Sequence, residues 1–327
     1  MRDLKNSNAV GLVVTPLVVL WSAAIVSAQN TAPPLSPTNI FAPASTPAES
    51  IFGLSMFVLS VTAAIFVVVF SLLAYSAVKF RKRNNDDGRE PPQVYGSNQV
   101  ELAWTVIPIL IVVALFMATA RVIADIQKAS PSANAVEVVA IGHQFWWEYR
   151  YPSLGVVTAN ELHVFWVPRL AGKTDLIPNH PNSMWIDPHE AGLYLGQCAQ
   201  YCGTQHAKML LRVYVEPHDE FDRWIQLQRQ PASTGDVVYE GRRVFETTAC
   251  INCHTVSGTV ANGRFGPDLT HLMSRETIAA GAALNTPENL RLWIQKPEVI
   301  KPGSLMPAME LTDRELDAVT AYLETLR

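Results

Sequence analysis

The chain has 327 residues, 49% of them hydrophobic and 17% charged, with a formal net charge of −4. That length allows more than one domain, and a mild negative charge without a basic patch excludes a nucleic-acid-binding surface. The four cysteines form two close pairs, Cys198 with Cys202 and Cys250 with Cys253, a pattern that suits two cofactor sites better than a disulfide framework.

In chain order, the first apolar block covers residues 10–26, after Arg2 and Lys5, and ends in small residues at Val26 and Ala28. Residues 1–28 are therefore expected to be a secretory signal peptide, with a retained anchor as the alternative. Residues 29–50 are proline-rich and are expected to be an extended leader without a fold of its own. Residues 51–78 and 102–120 carry no charge. A bilayer span takes roughly 20 apolar residues, so 51–121 reads as a transmembrane helical hairpin. Lys79, Arg81, Lys82 and Arg83 follow the first span, which puts the connecting loop in the cytoplasm and both mature ends outside.

After Arg121 the character changes. "VEVVAIGHQFWWEYRYP" and "MLLRVYVEP" are rich in β-branched and aromatic residues bounded by proline and glycine, and read as strands. Residues 122–220 are expected to form a β-sandwich domain. Residues 221–236 are expected to be a helix, "FDRWIQLQRQ", and a linker, "QPASTGD". Residues 237–327 read as helical, in "VVYEGRRVFETT", "TPENLRLWIQKP" and "TDRELDAVTAYLETLR". Thr312 and Glu315 supply a capping-box start for the last helix.

"CINCH", residues 250–254, is the covalent haem c attachment signature. Cys250 and Cys253 would add across the haem vinyl groups, and His254 would be the proximal iron ligand. Gly241 and Phe245 suit close packing of the first helix on the last. The carbonyl of Pro267 would orient the His254 ring. Met306, in "KPGSLMPAM", is the expected distal ligand, with Met309 the runner-up; His/Met ligation raises the haem potential. The stretch resembles a class I cytochrome c domain.

"GQCAQYCGTQHAKM", residues 196–209, places two thiols, an imidazole and a thioether in one loop. Such soft ligands favour copper. One blue-copper ion needs a single cysteine, whereas two thiolates can bridge two coppers, each with one histidine and a weaker axial ligand. His206 and Met209 are in the loop, and His163 on an upstream predicted strand is the candidate second histidine. A disulfide with incidental neighbours is the bland alternative.

The pattern resembles the dinuclear CuA site of cytochrome c oxidase subunit II, and the resemblance runs through "ELAWTVIPIL", "GHQFWWEYRY" and "GKTDLIPN". It implies a multidomain membrane protein: a two-helix transmembrane hairpin, a cupredoxin-like β-sandwich and an all-α cytochrome c domain. It implies Cys198 and Cys202 as bridging thiolates, His163 and His206 as terminal ligands, and Met209 and the backbone carbonyl of Gln200 as axial ligands.

The departures also matter. Gln200 stands where the family has a glutamate that helps hold magnesium or manganese, and a neutral amide is a poorer hard-cation ligand. Asn160 replaces a family acid. Glu101 matches a family glutamate at the mouth of a proton pathway. Phe145, followed by Trp146 and Trp147, occupies the position where the family receives electrons from a docked cytochrome c. A tethered haem domain makes a surface tuned for a free donor less necessary, and the lost acids at 160 and 200 are compatible with that.

The implied function is the electron-accepting subunit of a haem–copper terminal oxidase, with electrons passing from haem c to CuA and then to subunit I. Expected partners are subunit I, subunit III, an external donor such as a cytochrome c, and the membrane. The expected location is the bacterial inner membrane, with both metal domains on the periplasmic face. A membrane-anchored copper chaperone or thiol redox protein is the competing class. It would need neither His206 and Met209 in one loop nor a haem domain.

Overall fold

The computed structural model describes residues 39–81, 96–128, 135–162, 167–232 and 238–327. The signal-peptide expectation, most of the leader, the loop residues Lys82 and Arg83, and His163 lie outside these residues.

Helix α1 (Thr46–Lys79) has 34 residues and α2 (Asn98–Lys128) has 31. At ~1.5 Å per residue either is longer than the ~30 Å hydrocarbon core of a bilayer. Neither buries any of its most apolar stretch within the chain; Phe66, Leu73, Phe116 and Met117 all project outward. Apolar side chains on every face require a lipid or protein environment. Several hydroxyls are satisfied within the helices. Ser55 donates to Ile51 O at 2.8 Å, Thr62 to Val58 O at 2.9 Å and Thr105 to Glu101 O at 2.8 Å, so these three need no water in a membrane.

Both helices overrun the expected hairpin. Residues 39–50 are not a structureless leader. Pro47 sits in the first turn of α1, where its missing N–H costs nothing. Ala44 and Ser45 are buried against the following domain, with Ala44 N donating to Arg169 O at 2.8 Å and the Ser45 hydroxyl to Leu170 O. At the other end, α2 continues past Arg121 and accepts a hydrogen bond at Ile126 O from Trp185 Nε1, 2.7 Å away. These contacts fix the hairpin to the domain above it.

That domain holds two three-stranded sheets. β1 (Val139–His143), β2 (Trp146–Tyr151) and β3 (Val156–Ala159) form an antiparallel meander. β4 (Glu161–Leu162), β5 (Gly192–Gln197) and β6 (Leu210–Val215) form the second sheet, in the order β4-β6-β5. Strand periodicity puts Trp147, Tyr149 and Tyr151 on one face of β2, and Leu211 and Val213 on one face of β6, all in a shared core. Helix α3 (His218–Gln228), expected to lie beyond the sandwich domain, belongs to that core. Phe221, Trp224 and Ile225, at helical spacing, pack on it, with the Trp224 ring 5.7 Å from that of Tyr151.

The third region is mostly helical: α4 (Tyr239–Thr247), α5 (Cys250–Cys253), α6 (Pro287–Gln295), α7 (Pro297–Ile300) and α8 (Asp313–Leu323). A short ladder of β7 (Thr277–Ile278) and β8 (Ala283–Leu284), and an isolated bridge between Thr255 and Asn262, depart from the all-α pattern. The capping box at Thr312 and Glu315 forms in full. α4 crosses α8 at Gly241, where an added Cβ would land on Ala318 O and 2.7 Å from Tyr322 Cβ. Only glycine permits that approach, which lets the Phe245 and Tyr322 rings meet at 5.6 Å.

Candidate metal and haem sites

The loop at residues 198–209 closes the β5–β6 hairpin. The last ladder pair is Gln197 with Leu210, and Cys198 N donates to Met209 O at 3.0 Å. The strand register therefore sets Cys198 beside Met209. A short 3-10 turn, His206–Lys208, folds the loop back, with His206 N donating to Gly203 O at 3.1 Å. Gly203 has φ of +133°, a conformation side chains resist, and the Phe145 ring covers it. Gln144 Nε2 donates to Cys202 O at 3.0 Å.

Four soft donors converge as a result. The Sγ atoms of Cys198 and Cys202 are 3.7 Å apart, and both thiols are free. Cys202 Sγ lies 4.0 Å from His206 Nδ1 and 3.8 Å from Met209 Sδ. The carbonyl of Gln200 is 3.1 Å from Cys198 Sγ. Met209 is only 3% exposed. Burial, with the neighbouring Cys198 thiol next, pushes the Cys202 thiol up to about 11, so loading a metal must displace a proton. Thiolates, an imidazole and a thioether make a donor set suited to copper.

The side chain of Gln200 points elsewhere. Its Oε1 accepts from Lys173 Nζ at 2.7 Å, and Lys173 also pairs with Asp175 at 3.0 Å. An amide already held by an ammonium does not fit a hard divalent cation.

On the haem side, one helical turn brings Cys250 and Cys253 to the same face. His254 Nδ1 lies 2.8 Å from Pro267 O, leaving Nε2 as the potential ligand atom. Burial pulls the His254 pKa down, which favours the neutral imidazole a metal needs, while the Pro267 hydrogen bond opposes that shift. Gly266 faces the ring so closely that a Cβ there would sit 2.5 Å from Cε1. A buried neutral imidazole next to a cysteine pair fits covalent haem c. Met306 and Met309 both lie half-buried on the irregular stretch before α8.

The three aromatic candidates separate. Phe145 lies over Gly203, and its carbonyl accepts from Lys301 Nζ at 2.6 Å. Trp146 stacks on His143 with ring centroids 4.2 Å apart. Trp147 is buried, and its Nε1 donates to Met209 O at 3.5 Å, so it touches the 198–209 loop from inside. Glu101 is exposed in the first turn of α2.

Asn160 departs from expectation. It is buried, not part of a docking surface, and sits at φ 61°, a left-handed conformation that asparagine tolerates. It is hydrogen-bonded to the Trp147 backbone in both directions, each at 3.0 Å. His271 is also buried, and its Nε2 reaches Gln228 O and Gln230 O at the end of α3. Lys301, in "KPGSLMP", was read only as part of the methionine loop, and no local signal marks its contact with Phe145.

Three family models match in succession: cytochrome c oxidase subunit II, transmembrane domain, over residues 35–121; its periplasmic domain, over 153–215; and cytochrome c, over 238–327. Among curated relatives, a cytochrome c oxidase subunit 2 from Alkalihalophilus pseudofirmus is 35% identical, over 82% of this chain and 84% of that one. One from Bacillus sp. strain PS3 is 32% identical, over 76% and 80%. A third, from Bacillus subtilis, is 29% identical, over 77% and 82%.

Proposed function

Since the chain belongs to the cytochrome c oxidase subunit II family and carries a cytochrome c domain, we propose that it is the electron-accepting subunit, taking electrons through covalent haem c and passing them by dinuclear copper to subunit I. The observation that carries this reading is the convergence of Cys198, Cys202, His206 and Met209 in one loop.

In this reading Cys198, Cys202, His206, His163, Met209 and the Gln200 carbonyl would hold the copper pair. Cys250 and Cys253 would hold haem c covalently, and His254 and Met306 would ligate its iron. Both groups would supply one-electron transfer when bound.

The protein's own residues prepare these sites. The β5–β6 register fixes the loop ends, Trp147 and Phe145 pack against the loop, and Pro267 holds the His254 ring in one tautomer. The hairpin anchors the chain in the bacterial inner membrane against subunits I and III, with both metal domains facing the periplasm. Glu101 stands at the mouth of a proton pathway into subunit I. The magnesium or manganese site of the family is not part of this reading, because Lys173 engages Gln200.

The test is the pair of substitutions Cys198→Ser and Cys202→Ser in the assembled oxidase. Each should abolish the dinuclear copper spectrum and leave the haem c bands in place. A wild-type protein holding one copper or none after reconstitution contradicts the proposal.

A further inference from the structure

Lys301 follows α7 and is 3% exposed. Its ammonium donates to two carbonyls, Phe145 O at 2.6 Å in the sandwich domain and Ala279 O at 3.0 Å in the helical domain. Burial pushes its pKa down to about 8, against the pull of the nearby Cys202 thiol. A buried cation resting on carbonyls is costly, so its position calls for a reason beyond filling space.

Its surroundings suggest one. Residues 300–303 lie along residues 204–208 of the copper loop. Gln205 Nε2 donates to Pro302 O, and Lys208 Nζ donates to Ile300 O at 3.1 Å. Gly303, at φ +79°, comes so close to Thr204 that a Cβ would sit 2.9 Å from its Oγ1. Leu210 N donates to Ala280 O at 3.1 Å, and Arg212 pairs with Glu276. Gln205 and Lys208 flank His206, and Met306 comes three residues after Gly303. The segment leading to the candidate iron ligand thus grips the loop carrying a candidate copper ligand.

We propose that Lys301 is a positioning residue that locks the Met306 segment onto the copper loop, holding the two domains in one electron-transfer geometry. The lock rests on the reading above for the identity of the two centres, but its contacts are made by the protein alone. It replaces a tethered search by fixed orientation, which removes the entropy of aligning two domains. It also places the chain's own helical domain on the Phe145 carbonyl, beside Gly203.

Lys301→Met keeps a similar volume but leaves the Phe145 and Ala279 carbonyls without their donor, so it should lower global stability modestly while both absorption spectra stay unchanged. A merely structural lysine predicts that loss of stability alone, with no local loosening of the lock. In the assembled oxidase, hydrogen exchange at the Leu210 amide should accelerate several-fold, with β2 amides unaffected. Haem-to-copper electron transfer after flash reduction should become slower and multiphasic, and Lys301→Arg should restore it in part.

Wild-type exchange at Leu210, or single-phase transfer at the wild-type rate, overturns the proposal. If Lys301→Met does not assemble, Gly303→Val keeps the lysine and pushes the segment off Thr204; it should give the same loosening, and unchanged exchange there overturns the proposal equally. Absence of copper or haem from the wild-type protein would instead refute the function proposed above, and the exchange result would stand apart from it.

Discussion

Met306 and Met309 make the sharpest residue-scale contrast, because both are half-buried in the same stretch. Met306→Ala should lower the haem potential, since a thioether favours reduced iron, whereas Met309→Ala should leave it near the wild-type value; a redox titration of each variant decides. Gly266→Ala puts a Cβ against the His254 ring. Overpacking of this kind costs about 1–3 kcal/mol, read as a lower denaturant midpoint for loss of the haem c band. The copper loop was legible in the sequence because four soft donors sit within twelve residues and chemistry alone makes that combination unusual. Lys301 was not, because its partner Phe145 is 156 residues away. Asn160 was legible as a missing acid but misread as surface, since its burial depends on a left-handed backbone and on Trp147 across the sheet.

At the scale of elements, α4 and α8 stand or fall together. Gly241→Ala should cost about 3 kcal/mol, the upper end for overpacking, because the obstruction is backbone that cannot rotate away; chemical denaturation of the haem domain measures it. The capping box of α8 offers a pH test. The Thr312 backbone N–H, and then its hydroxyl, hold the Glu315 carboxyl below its usual range. A lowered folded pKa gives stability that is complete above the ordinary glutamate range and is lost as pH falls through the lowered value. Glu315→Gln should therefore melt earlier than wild type at neutral pH, and the gap should close in acid, where the wild-type carboxyl is protonated. Helices α4, α6 and α8 were readable as a helical pattern, and α8 also from its capping box. Helix α3 was found but placed outside the sandwich domain, although Phe221, Trp224 and Ile225 carried the signal for a buried face. The β7–β8 ladder went unseen because two-residue strands leave no periodicity.

For the whole molecule, hydropathy was enough to place the hairpin, yet not its ends. α1 and α2 extend into the sandwich domain through Ala44, Ser45 and Trp185, and such contacts have no counterpart in a hydropathy pattern. The order of domains likewise said nothing of how they dock. The structure brings the helical domain onto the 198–209 loop through Lys301, Gln205 and Leu210. The central claim is that electrons reach copper through the fused haem. Its most direct test is rapid mixing of the assembled oxidase with reduced soluble cytochrome c, comparing wild type with a Cys250→Ser, Cys253→Ser variant that keeps its copper spectrum. The account predicts that in wild type the haem c band changes first and the copper band follows, and that in the variant copper is reduced only slowly. Reduction of copper in the variant at close to the wild-type rate would contradict it.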